Sequence, residues 1–166
     1  MKYQMNFTTS LDDVTRFTSA EDLRQFYKEH GCDGLEVMPL AYSTKEAPEA
    51  YQEADACPLI QPDMVTGVHC CCLQDWMGQN REELIAHYRK DLDYASRMGA
   101  EYVVFHVVQV DGEESFTYQR KHTNREVIDA AAAFINELLD GQDYHFWFLM
   151  ENLWWPGLTF ENQEDT

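Results

Sequence analysis

Three short apolar runs in this chain each end on a side chain that can bind a metal: Val65-Thr66-Gly67-Val68-His69, Tyr102-Val103-Val104-Phe105-His106 and Phe146-Trp147-Phe148-Leu149-Met150-Glu151. Imidazole and carboxylate are donors for zinc, manganese and similar divalent ions, and two His with one Glu begin such a site. Runs of β-branched and aromatic residues read as buried strands. Chemistry at the carboxyl ends of successive strands is the arrangement of α/β barrels. Other readings stay open for each residue alone. A buried ionised Glu151 must be paired or coordinate a metal, so it could instead cap a helix or meet an Arg. His106 could be a hydrogen-bonded core residue.

The elements that must position these groups alternate. The first strand is expected at residues 3–7, followed by a helix over 20–30 with Thr18 and Glu21 at capping-box spacing and Gly31 as its stop. The second strand is expected at 34–38. The stretch 41–62, rich in Pro, Ala and Glu, reads as a long loop with room for one short helix. The third strand runs over 65–72. A helix bounded by Asn80 and Gly99 follows, with Glu83 at the box position and Leu84, Ile85, Tyr88, Leu92 and Ala95 as its apolar face. The fourth strand covers 102–108. The next helix is capped by Thr123 and Glu126, carries Val127, Ile128, Ala131, Phe134, Ile135, Leu138 and Leu139 on one face, and stops at Gly141. The fifth strand covers 145–151. Five strands and four helices in βα alternation imply right-handed crossovers and a parallel sheet in a single domain spanning 1–166.

Length and composition bound the function. The chain has 166 residues, 45% of them hydrophobic, enough for one buried core. Twelve Lys and Arg stand against 30 Asp and Glu, a net charge of −18. Such a surface repels phosphate backbones and anionic membranes, which argues against nucleic acid as the main partner. The first residues lack the apolar core of a signal peptide and no apolar stretch is long enough to cross a bilayer, so a cytoplasmic location is expected. Five cysteines, Cys32, Cys57 and the consecutive Cys70, Cys71 and Cys72, make no disulfide framework and read as small buried hydrophobes. Cys71 would share a strand face with His69. His30 and His87 are expected to be exposed on helices, and His122 and His145 to lie on the surface or in loops.

The chain resembles the xylose-isomerase-like TIM barrels, a superfamily of sugar isomerases, sugar epimerases and apurinic endonucleases of the endonuclease IV type. Gly31-Cys32-Asp33-Gly34-Leu35-Glu36 is similar to the superfamily's second-strand motif. Gly67-Val68-His69 is similar to its third-strand His segment, Val104-Phe105-His106 to its fourth, and Leu149-Met150-Glu151-Asn152 with Gly157 to its fifth-strand Glu-Asn segment. The resemblance covers residues 3–160 and implies a barrel site for manganese, magnesium, cobalt or zinc. It implies that Glu151 is a metal ligand. In the endonuclease branch His69 and His106 are ligands too; in the sugar branch they more often touch substrate. The departures are Val107-Val108 after His106, Trp154-Trp155-Pro156 after Glu151, and no counterpart to the ligands of later strands.

The fold expected is therefore a (β/α) parallel barrel of the TIM type, incomplete after about five strands, with an open doubly wound sheet as the competitor. Acidic residues after Thr159 and Asn162 resemble the start of a further helix, which favours the barrel. The function expected is that of a metal-dependent sugar or sugar-phosphate isomerase or epimerase, inactive in this shortened form. A zinc phosphodiesterase like endonuclease IV and a non-catalytic barrel fragment are the alternatives. Glu151 would be ligand and base, with His69 and His106 as ligands or substrate contacts. Glu36 is either a structural carboxylate inside the barrel mouth or a substrate contact. Trp154 and Trp155 either stack on a sugar or pack in a loop. Unpaired outer strands would favour self-association edge to edge.

Overall fold

A computed structural model describes residues 3–39, 57–70, 80–107, 119, 121–151 and 157–158. Five strands, β1 (Asn6–Ser10), β2 (Gly34–Met38), β3 (Val65–His69), β4 (Tyr102–His106) and β5 (Trp147–Glu151), form one parallel sheet. Their spatial order is β1-β2-β3-β4-β5, the same as their order in the chain. A doubly wound sheet reverses direction at a switch point. Among the described strands this one does not, which counts against the doubly wound alternative.

A single-turn helix α1 (Leu11–Val14), three longer helices, α2 (Ala20–Glu29), α3 (Arg81–Met98) and α4 (Asn124–Leu139), and a 3-10 turn at Pro62–Met64 before β3 complete the described elements. Sequential strands joined by right-handed crossovers carry all their helices on one face. The side chains agree. Leu35, Val37, Val68, Val103 and Phe105 alternate along β2, β3 and β4 and are fully buried on that face. Tyr88 of α3 stacks on Phe105 at 5.2 Å and meets Phe134 of α4 edge-on at 5.3 Å. Phe105 stacks in turn on Phe148 of β5.

Capping fixes where the long helices begin. Asn80 accepts from the backbone N–H of Glu82 and Glu83, and Gly99 closes α3 in the left-handed region at φ 70°. Thr123 and Glu126 form the reciprocal capping box of α4. At α2 the cap is Ser19, whose side chain accepts from the Asp22 N–H, one residue later than the Thr18/Glu21 spacing predicted. Thr18 instead donates its hydroxyl to the Asp22 carboxylate. Asp22 is as good an acceptor as Glu21, so the box pattern alone could not set the phase.

The strand predictions hold for β2 and run long or early elsewhere. β1 begins at Asn6, not at residue 3: Asn6 pairs with Gly34, while Tyr3 and Met5 are exposed and Met5 meets Asp33, just before β2, through its backbone. β3 and β4 both stop at their His, and β5 starts at Trp147. Most of the 41–62 stretch, and with it the short helix expected there, lies outside the described residues, as do Cys71 and Cys72 and the acidic segment after Thr159. Cys70 is buried, and Cys32 and Cys57 are partly so. His87 is a correction: it is 5% exposed, on the sheet-facing side of α3 between Leu84 and Tyr88. A polar ring in a stripe of i, i+3, i+4 apolar positions is turned inward with its neighbours.

The face of the sheet opposite the helices is concave. Thr8, Glu36, Gly67, Tyr102 and Trp147 are aligned by strand register into one row across it. Tyr102 of β4 lies across Gly67 of β3 and reaches both outer partners. Its hydroxyl donates to Glu36 Oε2 of β2 at 2.8 Å and accepts from Asn6 Nδ2 of β1 at 2.7 Å. Thr8 donates to the other Glu36 oxygen at 3.2 Å. β1 and β4 are three strand spacings apart, roughly 14 Å in a flat sheet. Side chains standing perpendicular to a flat sheet would not meet over that span. The Asn6–Tyr102 contact therefore records strong curvature.

Candidate metal-binding site

The three strand-end residues converge. His69 Nε2 lies 3.1 Å from His106 Nε2 and 3.3 Å from Glu151 Oε2, and His106 Nε2 lies 3.1 Å from the same carboxylate oxygen. The two imidazole rings are nearly perpendicular, with centroids 4.8 Å apart. They are the one His/Cys/Asp/Glu group of metal-binding geometry among the described residues.

Strand geometry produces this meeting. His106 and Glu151 are directly paired in the β4–β5 register, so both point to the concave face. His69 is paired with Val104, one pleat lower, and its ring reaches up beside His106. Its Nδ1 is 2.9 Å from the carbonyl of Cys70. A carbonyl only accepts, so Nδ1 carries the proton and Nε2 presents a lone pair. That lone pair faces a carboxylate oxygen, also an acceptor, and the Nε2 of His106. A proton on His106 Nε2, donated to Glu151, or a cation at the centre satisfies the cluster.

The dimensions fit a metal ion. Bonds of 2.0–2.1 Å around a tetrahedral centre put neighbouring ligand atoms about 3.3–3.4 Å apart. An octahedral centre with bonds of similar length puts them about 2.8–3.0 Å apart. The observed triangle lies between these limits. Both His are buried, while Glu151 keeps 38% of its side chain accessible, so the site is open on the carboxylate side. Burial, reinforced by the neighbouring His69, holds the His106 imidazole below its usual pKa, against the opposing pull of Glu151. The neutral ring is the form that binds metal. His106 Nδ1 is buried with no hydrogen-bond partner; a metal-ligating His usually donates this second nitrogen to a carboxylate or carbonyl.

The other predicted residues are placed apart from the triad. Glu36 sits in the row of Gly67 and Tyr102, two residues below His69 and four below His106 along the strands, with both oxygens engaged. Trp154 and Trp155 lie outside the described residues. Just after them the Gly157 N–H donates to Asn124 Oδ1 and the Leu158 N–H to the Val107 carbonyl. His30 and His145 are exposed and His122 is partly so. Sequence reasoning missed Tyr102 and Asn6. The signal was present in Gly67, the small residue that lets a large ring cross β3.

No protein-family model matches this sequence, and no curated protein matches it. Among solved structures the chain is similar to the apo crystal structure of 3-keto-D-glucoside 4-epimerase, YcjR, from E. coli, with a TM-score of 0.54 and 14% identity. The likeness takes in 92% of this chain and 57% of that one, so this chain spans little more than half the length of its structural neighbour. At that identity the similarity establishes a shared α/β fold. Among the described residues no helix is long and apolar enough to cross a membrane.

Proposed function

We propose that this chain carries the metal-binding strands of a metal-dependent sugar or sugar-phosphate isomerase or epimerase, built as five strands of a xylose-isomerase-like (β/α) barrel in a single domain. The observation that carries the reading is the triangle of His69 Nε2, His106 Nε2 and Glu151 Oε2 at 3.1–3.3 Å. Sequential strand order and the curvature recorded by Asn6 and Tyr102 support a barrel. The structural neighbour, named as an epimerase of a keto-glucoside, supports a sugar as substrate.

In this proposal His69, His106 and Glu151 hold manganese, magnesium, cobalt or zinc. A bound divalent ion polarises carbonyl and hydroxyl oxygens of a substrate. The buried imidazoles keep water from the inner side of the cluster. The half-open Glu151 is where a ligand enters, and its Oε1, outside the triangle, is the atom proposed to take a proton from carbon beside a carbonyl. Trp154 and Trp155, directly after it in sequence, are proposed to stack on the sugar. Glu36 is proposed as a brace, because Thr8 and Tyr102 occupy both its oxygens.

The test is a titration of the purified chain with Mn²⁺, Co²⁺ and Zn²⁺, followed by proton NMR in D₂O with 3-keto-glucosides and ketose phosphates. One ion per chain is expected, and exchange of the hydrogen beside the carbonyl would show that these three ligands suffice without the later strands. Binding that persists unchanged after replacing all three residues overturns the reading. Convergence of both His as ligands favours a second reading, a zinc phosphodiesterase like endonuclease IV, while the net charge of −18 opposes it. Cleavage of abasic DNA by the zinc-loaded protein separates the two.

A further inference from the structure

We propose that Tyr102 is a positioning residue for the metal site, and that Gly67 is glycine so that Tyr102 can act. The inference rests on the metal reading of His69, His106 and Glu151 and adds the device that sets their separation.

Tyr102 and His106 lie on the same strand and the same face, four residues apart, and Gly67 and His69 are related in the same way two residues apart. The Tyr102–Gly67 contact is thus roughly 7 Å below His69 and 13 Å below His106 along the strands. A Cβ built on Gly67 would fall inside the Tyr102 ring, with the hydroxyl oxygen only 2.7 Å away. The ring can rest on β3 only because no side chain is there. From that seat its hydroxyl ties to Glu36 and Asn6, on the two strands beyond. One side chain of β4 therefore fixes its own strand against β3, β2 and β1.

The consequence at the strand ends is angular. His69 must reach past its register partner Val104 to meet His106. Their Nε2 atoms stand 3.1 Å apart at the inclination that β3 and β4 hold here. Flattening the sheet moves side chains on the concave faces of neighbouring strands apart, and with them the three ligand atoms of the triangle. The phenol keeps its proton in this setting, because burial first, and then the hydrogen bond to Glu36, hold it well above its ordinary pKa. A hydroxyl that donates to a carboxylate while accepting from an amide fixes the direction of both bonds.

The experiment uses the full chain and the variants Gly67→Ala, Tyr102→Phe and Tyr102→Leu, each checked for wild-type secondary structure by circular dichroism. Co²⁺ is the probe, read by its visible absorption and by its affinity. Gly67→Ala, which displaces the ring, and Tyr102→Leu, which removes it, are expected to weaken Co²⁺ binding by about 10-fold and to alter the absorption band. Tyr102→Phe keeps the ring on Gly67 and is expected to be affected less. In a Tyr102→Leu background Gly67→Ala is expected to cost little more, because the ring it displaces is gone. A metal-free readout runs in parallel, in which the ¹⁵N shifts of the His69 and His106 rings are expected to move in the same variants. Wild-type protein that binds no Co²⁺ would refute the metal reading alone, and the imidazole shifts would still decide the positioning. Folded Gly67→Ala and Tyr102→Leu proteins with unmoved imidazole shifts overturn it.

Discussion

His69 Nε2 and Glu151 Oε2 stand 3.3 Å apart although β3 and β5 are separated by the whole of β4. Two strand spacings are about 9.6 Å in a flat sheet. The same curvature that brings Asn6 to Tyr102 at one level of the sheet brings this pair together at another.

The triad makes graded demands. Glu151→Gln keeps the shape but loses the negative charge, and His69→Ala or His106→Ala removes a neutral donor. Each single variant is expected to lower divalent-metal affinity by at least about 100-fold, since losing one of three protein ligands costs more than losing an outer partner. Isothermal titration with Zn²⁺ at constant pH checks this. A variant within threefold of wild type would exclude that residue as a ligand.

Acid should destabilise the fold through His87. Burial, and to a smaller extent Lys90, lower its pKa in the folded protein below the usual value near 6.5. In the window below 6.5 the unfolded chain therefore binds the extra proton and the folded chain does not, so stability falls as pH falls through that window. Urea unfolding of metal-free protein at pH 7 and pH 5 should show lower stability at pH 5. His87→Leu should reduce the difference. An unchanged pH dependence in that variant would assign the effect elsewhere.

Thr123→Ala removes the side-chain half of the α4 capping box. The Thr123 hydroxyl receives the Glu126 N–H, and the Glu126 carboxylate receives the Thr123 N–H and hydroxyl in return. The expected loss is about 1 kcal/mol in chemical denaturation. Metal affinity should stay as in wild type, because the box lies at the start of α4 and touches none of the triad.

The outer side of β5 should associate. β5 is the last strand of the sheet among the described residues, and Trp147 and Leu149 on its concave face are 77% and 44% exposed. Exposed apolar groups beside an uncovered strand are a site of association. Sedimentation should show concentration-dependent oligomers. Trp147→Lys with Leu149→Lys should shift the population to monomer; identical profiles for the two proteins would place any association elsewhere.

The chemistry of this chain was more legible than its geometry. His69, His106 and Glu151 stood out because each closes an apolar run that reads as a strand, and closing a strand is a local property; β3 and β4 are buried as read, whereas β5 exposes Trp147, Leu149 and Met150. The caps at Asn80 and Thr123 were legible for the same reason. The polar row of Asn6, Thr8, Glu36 and Tyr102 was not, since its members are brought together by register across four strands. His87 was misjudged because a helical stripe is set by the whole face, and one polar ring among Leu84, Tyr88 and Leu92 follows the face inward. Alternation of β and α could not separate a one-sided sheet from a two-sided one. That distinction lives in the strand order.

Neighbouring strands in this sheet are also neighbours in the chain, so pairing can keep pace with translation. Each new βα unit docks on the one made just before it, and no strand waits for a distant partner. Contacts that skip a strand are the exceptions, and the longest in sequence is the bond from Asn6 to Tyr102, which joins positions 96 residues apart and can form only when the fourth strand has been synthesised. A ribosome-bound nascent chain would therefore hold a shallow, open array first and acquire its bend late, as one closing event.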